Sequence, residues 1–442
     1  MAAPPSFLLR GVNLLEGPDL PTRRADVLIE AGVLRHLSPT EPSATPPPDT
    51  PPAQAGLPCI EAVGAWLAPP LVDPHSVLEE PHQGRAETLA SLAAAAAAGG
   101  YGTVALLPWA QPWRDRAEAL ALHWPEPLNL LLWGSFSLGG QDRELAGHDD
   151  QLRAGAIGLA GGASLPPLAL LERGLRLGEM GSRPVLVAPR EPSLSREGFV
   201  RERVEALRAG WPPDPPISET LPLESLLALA DGLPRPPLRL MNLSTAEAVE
   251  RLRRQPEPPP ASVSWWHLLA DSAHLDPAAQ GWRVEPSLRG PADREALIAA
   301  LEAGLIGAIA VHHQALDGEE MLLSLEQRRA GVAGHGAATG HPGVLPCLWR
   351  ELVQLRGWSA SRLWDRLCWG PARFLGLEPE RLQTGSRRWI LFDPAAPPCW
   401  TADGAISLAA NHPRPPGGGQ GAIVASGLRG SQGWWAPDFP RS

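Results

Sequence analysis

The stretch ETLASLAAAAAAGGYGTVALLP, Glu87–Pro108, contains one full structural period. The Leu/Ala run is a strong helix former. Gly99 and Gly100 close the helix. The apolar run GTVALLP then has the length and content of a strand buried on both faces. The same alternation recurs on either side. IEAVGAWLAPPLVDPH precedes it as a strand. PWRDRAEALALHW reads as a helix and LNLLLWGSFS as a strand. LPPLALLERGLRLG leads to RPVLVAPRE, SLLALADGL to LRLMNLS, TAEAVERLRRQ to ASVSWWHLL, and PADREALIAALEAG to IGAIAVHH. About eight helix–strand units between residues 69 and 375 predict an α/β chain folded as a (β/α)8 TIM-like barrel.

The ends of the chain have a different texture. FLLRGVNLLEGPDLPTRRADVLIEAGVLRHL alternates apolar and polar residues between turns, which predicts a meander of short strands. A proline-rich loop follows at SPTEPSATPPPDTPPAQAGLP. After a helix at LWDRLCWGPARFLGL, strand character returns in RRWILFDP, CWTADGAISLA and GAIVASGLRG. Residues 1–68 and 385–430 are therefore expected to form one small β-domain beside the barrel.

A chain of 442 residues with 44% hydrophobic content can bury a large core. Its net charge of −10 excludes a general basic footprint for nucleic acid or anionic membrane. RLRR at 251–254 is short enough to be a solvated helix face. The four cysteines, Cys59, Cys347, Cys368 and Cys399, lie far apart with no CxxC pair. That argues against a zinc knuckle or a disulfide framework and suits a reducing cytoplasm. No secretory leader and no apolar run of membrane-spanning length stands out.

Several blocks carry a specific resemblance. LAPPLVDPHSVLEEP, Leu67–Pro81, is similar to the dihydroorotase pattern in which a strand ends in two histidines one residue apart. AAAAGGYGTVALLPWAQP, LRLMNLSTAEAVERLRR, RVEPSLRGPADREALIAALEAGLIGAIAVHH and GPARFLGL resemble further dihydroorotase blocks in the same order. Gly99, Gly100, Pro108, Ser244, Thr245, Pro286, Leu288 and Arg289 match as framework residues. The chain thus resembles a dihydroorotase of the amidohydrolase superfamily, nearly end to end. The resemblance implies a barrel of the amidohydrolase type, hydrolysis of a cyclic amide in pyrimidine biosynthesis, and a zinc pair.

The functional positions depart from that pattern. His75 fills the first histidine place and Val77 the second. GAIGLAGGAS, with Gly161 and Gly162, offers neither acid nor lysine where a bridging ligand is implied. Ala188 and Asn242 replace two further histidines, and His312 stands at the place of the catalytic aspartate. Catalytic zinc needs about three protein ligands and an open position. The expectation is that no zinc pair is held. A single-metal site from His75 and His312, with or without His313, is the remaining alternative.

The substrate clamp differs as well. Where the family has an arginine and an asparagine for a carboxylate, this chain has Glu79 and Trp109, and Glu285 replaces a second asparagine. At about 4 Å and an effective dielectric near 20, reversing that charge turns roughly 4 kcal/mol of attraction into similar repulsion. Arg289 is retained, either as a buried structural partner or as a binding group. Two functions follow as expectations. One is a non-catalytic dihydroorotase homologue, a pseudoenzyme without cofactor. In some bacteria such chains scaffold aspartate carbamoyltransferase, and the resemblance implies that partner or self-assembly. The other is a divergent cyclic-amide hydrolase with an altered metal site and zinc.

Overall fold

The computed structural model describes residues 6–39, 57–122, 128–195, 198, 200–208, 210–274, 284–322, 340–398, 407–413, 417–428 and 434–435. The proline-rich loop lies mostly outside these residues, as does Cys399. The other three cysteines are free thiols.

Five strands come from the start of the chain: β1 Phe7–Leu14, β2 Arg23–Glu30, β3 Val33–Pro39, β4 Cys59–Glu61 and β5 Trp66–Ala68. Eleven more occupy the middle. They are β6 Leu71–Ser76, β7 Tyr101–Leu106, β8 Asn129–Leu132, β9 Gly134–Ser135, β10 Leu159–Ala160, β11 Val185–Val187, β12 Val200–Arg201, β13 Pro213–Asp214, β14 Leu238–Leu240, β15 Ser262–Ser264 and β16 Ala308–Ala310. The last three are β17 Ile390–Asp393, β18 Ala422–Ser426 and β19 Trp434–Trp435.

The middle strands pair in parallel and in cyclic order. β6 pairs with β7 and β7 with β8. The chain passes through Trp133 into β9, which pairs with β10, then β11, then β14. A parallel bridge from Leu240 to Ala261 leads on to β15, which pairs with β16. The Val77 amide donates to the His313 carbonyl at 2.7 Å, and the Val311 amide to Asp73 Oδ1 at 3.1 Å. These bonds return the last strand to the first. β12 and β13 form a separate small pair.

Helices at Leu89–Ala98, His148–Arg153, Leu168–Leu177, Ile217–Asp231, Ala246–Arg253 and Pro291–Glu302 separate the ring strands. The first starts at an N-cap, where the Thr88 hydroxyl accepts the Ser91 amide. Its double-glycine exit has a steric cause. A Cβ on Gly99 would meet the His341 carbonyl oxygen at 2.4 Å, and Gly100 turns at φ +80°. PWRDRAEALALHW differs from its expected helix: among its described residues there is a single 3-10 turn, at Ala117–Leu120. Arg114 is buried there and donates to the Leu107 carbonyl, while Asp115 accepts the Gly139 amide. These tertiary ties override the helical pattern.

The chain ends meet in one sheet of order β19-β18-β17-β5-β1-β2-β3, with β4 also on β1. β17 runs antiparallel to β5 and β18 antiparallel to β17. Trp389 is fully buried against this sheet and donates to the Gly32 carbonyl at 2.9 Å. Burying such a side chain contributes roughly 3 kcal/mol. Of the segment CWTADGAISLA, the described residues from 407 onward carry no strand. Ser407 instead donates to Glu87. Only Pro69 and Pro70 separate β5 from β6, so the sheet connects directly to the ring. Among the described residues, no helix is long and apolar enough to cross a membrane.

Candidate ligand site at the mouth of the strand ring

The carboxyl ends of parallel strands collect side chains from distant parts of the sequence. His75, near the end of β6, is fully buried. Its Nδ1 lies 3.1 Å from Nδ1 of His312, and its Nε2 lies 2.8 Å from Ser262 Oγ. Ser262 Oγ also accepts the Asn242 amide at 3.0 Å. One hydroxyl on β15 therefore joins the ends of β6 and β14. His312 and Asn242 both have left-handed backbone, at φ +50° and +48°. Histidine and asparagine tolerate that region better than most side chains.

Burial lowers the His75 pKa to about 4 against the opposing charge of Asp73. It also lowers His312 well below the ordinary range, and the charges of His75, Arg190 and His267 act the same way. Both rings are neutral at pH 7. One Nδ1 must then donate to the other, which fixes opposite tautomers on the pair.

The rest of the mouth is apolar. Val77 and Ala188 are buried in a cluster with Leu107, Trp133, Met241 and Phe374. Trp109 packs against it and donates from Nε1 to the Gly161 carbonyl at 2.9 Å. Its ring stands edge-on to His312, with centroids 5.9 Å apart. Space does not dictate glycine at Gly162, because a Cβ there would meet nothing within 4 Å.

These residues do not fit a zinc centre. Val77 and Ala188 have no donor atoms, and His75 and His312 are engaged with each other. Among the described residues, no group of three His, Cys, Asp or Glu side chains could hold a metal ion. His313 does not join His75 and His312, which corrects the alternative single-metal site. It faces the other way, with Nε2 3.1 Å from Glu87 Oε2 and its ring 5.4 Å from that of His341. Burial pushes the Glu87 carboxyl up, but bonding and charge from His313, with Ser407 and Ser91, outweigh it and hold it at about 2. His341 in turn bonds to Asp73 at 3.0 Å.

The remaining sequence candidates separate into two groups. Arg289 is structural: its guanidinium pairs with Asp214 at 3.0 Å and donates to Ser244 Oγ at 3.0 Å. Ser244 and Thr245 serve the frame, since their amides and hydroxyls all converge on the buried Glu219 carboxylate. Glu79 lies on the surface of an acidic cleft. Partial burial and the neighbouring Glu320 and Glu80 raise its pKa. Glu285 lines a second cleft beside Arg190, 3.4 Å from its guanidinium. Sequence reading missed Arg190, Asp214, Glu87 and His267. Arg190 had one signal, a charge two residues beyond the apolar strand PVLVA.

No family-level sequence model matches the chain. A probable dihydroorotase-like protein of Synechocystis sp. is 34% identical over 388 residues, covering 78% of this chain and 84% of that one. A dihydroorotase of Syntrophobacter fumaroxidans is 29% identical and covers 89% of each chain. Among solved structures, the L-hydantoinase (dihydropyrimidinase) from Arthrobacter aurescens superposes with a TM-score of 0.72 at 18% identity. That match covers 96% of this chain and 95% of the other. A D-hydantoinase structure reaches 0.74 at 17% identity, covering 97% and 94%.

Proposed function

The chain belongs to the dihydroorotase-like proteins of the amidohydrolase superfamily, and from that premise we propose that it is a non-catalytic member. The observation that carries this reading is the packing of Val77 and Ala188 in an apolar cluster where donors are required. Hydrolysis of a cyclic amide by this family's chemistry needs a water whose pKa a metal lowers toward 7. It also needs a base to take the proton. His312 stands at the place of the family's aspartate with its Nδ1 taken up by His75, and without a metal there is no activated water for its other nitrogen to serve.

On this reading the ring of parallel strands is the (β/α)8 barrel, over 69–375. Residues 1–68 and 385–430 are its accessory β-domain. The chain acts in the cytoplasm beside pyrimidine synthesis. Its partner is aspartate carbamoyltransferase, which it scaffolds, or further copies of itself. Support comes from an intact buried frame around a centre stripped of donors.

The test is turnover of dihydroorotate and of a hydantoin by the purified chain with added zinc. A His75→Ala variant is the control. The reading expects no turnover in either. Zinc-dependent turnover lost in His75→Ala would establish the second reading, a divergent cyclic-amide hydrolase, which the named dihydroorotase relatives favour. The scaffold role is tested separately, by co-purification with the carbamoyltransferase of the same organism.

A further inference from the structure

Arg190 lies just beyond β11, on the wall of a cleft of about 230 Å³. Glu285, Pro286 and Ser287 line the same cleft. The Arg190 side chain is only 12% exposed. A guanidinium carries five N–H donors in a rigid planar fork, and leaving buried donors unpaired is costly. Here the fork is poorly used. Nη1 lies 3.4 Å from Glu285 Oε1, and Nη2 reaches the Asn242 carbonyl at 3.4 Å. Nε is buried without a hydrogen-bond partner. Nearby, both side-chain atoms of Asn242 and Nδ1 of His267 are also buried without one.

The other charges along the cleft are committed. Asp214 is paired with Arg289 at 3.0 Å and accepts the Ser218 hydroxyl. Glu191 accepts the amide and hydroxyl of Ser193. Glu285 differs. Its side chain is 36% exposed and meets Arg190 at a distance longer than a charge-assisted hydrogen bond. Its carboxylate stands beside an unfilled fork at the solvent edge.

We propose that this cleft binds a small carboxylic acid, whose carboxylate displaces that of Glu285 and takes the Arg190 fork. The planar guanidinium matches a carboxylate bidentately, which an ammonium would not. Glu285 then turns into solvent, which its exposure allows. The cleft reaches one place of the family's clamp, Glu285, but neither Glu79 nor Trp109 lines it, and Arg190 stands at no clamp position of the family resemblance. It holds whether or not the chain hydrolyses anything, so its failure leaves the preceding reading untouched.

Succinate and acetate, with succinamide and acetamide as uncharged counterparts, are the probes, titrated against the full chain by ligand-observed NMR. The carboxylates are expected to bind saturably and the amides not. In Glu285→Gln, succinate should bind roughly tenfold tighter, the effect of removing a competing contact worth about 1.4 kcal/mol. In Arg190→Gln, with fold checked by circular dichroism, binding should be lost. If Arg190→Gln fails to fold, the Glu285→Gln result decides alone. Equal binding of acids and amides, or no gain in Glu285→Gln, would overturn the proposal.

Discussion

His75 and His312, 237 residues apart in sequence, meet Nδ1 to Nδ1 at 3.1 Å in the buried mouth of the strand ring. That contact exists only while at least one ring can accept, so it requires neutral imidazole. The sign of its pH dependence follows. A histidine whose folded pKa lies below its unfolded value of about 6.5 binds fewer protons folded than unfolded between those values. Its stabilising effect is complete above about pH 6.5 and is lost as pH falls toward the folded pKa.

For His75, at about 4, the window is pH 6.5 to 4 and the loss is on the order of 3 kcal/mol. His267, at about 3, acts in the same direction. Urea unfolding at pH 7.5, 6 and 5 should show falling stability, with a shallower slope in His75→Gln. Equal slopes in the two proteins would contradict the buried neutral pair.

Glu87 ties the segment 407–411 to the ring, through Ser407, the Leu408 amide and His313. Glu87→Gln keeps the shape but removes the charge. Breaking a buried pair of this kind costs about 3 kcal/mol. Limited proteolysis should then cut the C-terminal segment sooner than in the unaltered chain. Unchanged cleavage would mean the segment is held by other contacts.

Arg289→Leu leaves the Asp214 carboxylate buried beside a neutral side chain. The expected loss is about 3–5 kcal/mol by denaturant unfolding. A loss below 1 kcal/mol would return Arg289 to the role of a binding group.

Val77→His restores one family residue type and should restore no turnover. Ligands act as a unit, and Ala188 and Gly161 still offer none. The imidazole would also enter the cluster of Leu107, Trp133 and Phe374. Burying its polar ring there should lower stability by about 2 kcal/mol. Turnover in this single variant would show that the remaining donors suffice.

Much of this arrangement was legible in the sequence where the cause is local. The Ala-rich helix, the Gly99–Gly100 exit and the apolar run of β7 are neighbours, and they read correctly together. The convergence of His75, Val77, Ala188, Asn242 and His312 came from motif order. What could not be read depends on partners far apart. Asp214 and Arg289 are 75 residues apart, and Glu87 and Ser407 are 320. The stretch around Arg114 has a helical pattern but folds otherwise, because a buried guanidinium there seeks carbonyls in the next layer. His313 was placed beside His312 by adjacency, whereas the backbone turn at His312 sends it toward Glu87.

The central claim is that this mouth holds no catalytic metal. The most direct measurement is isothermal titration of the chelator-treated chain with zinc at pH 7.5, with His75→Ala beside it. The account predicts no heat that differs between the two proteins. A stoichiometric site of micromolar or tighter affinity, abolished by His75→Ala, would contradict it.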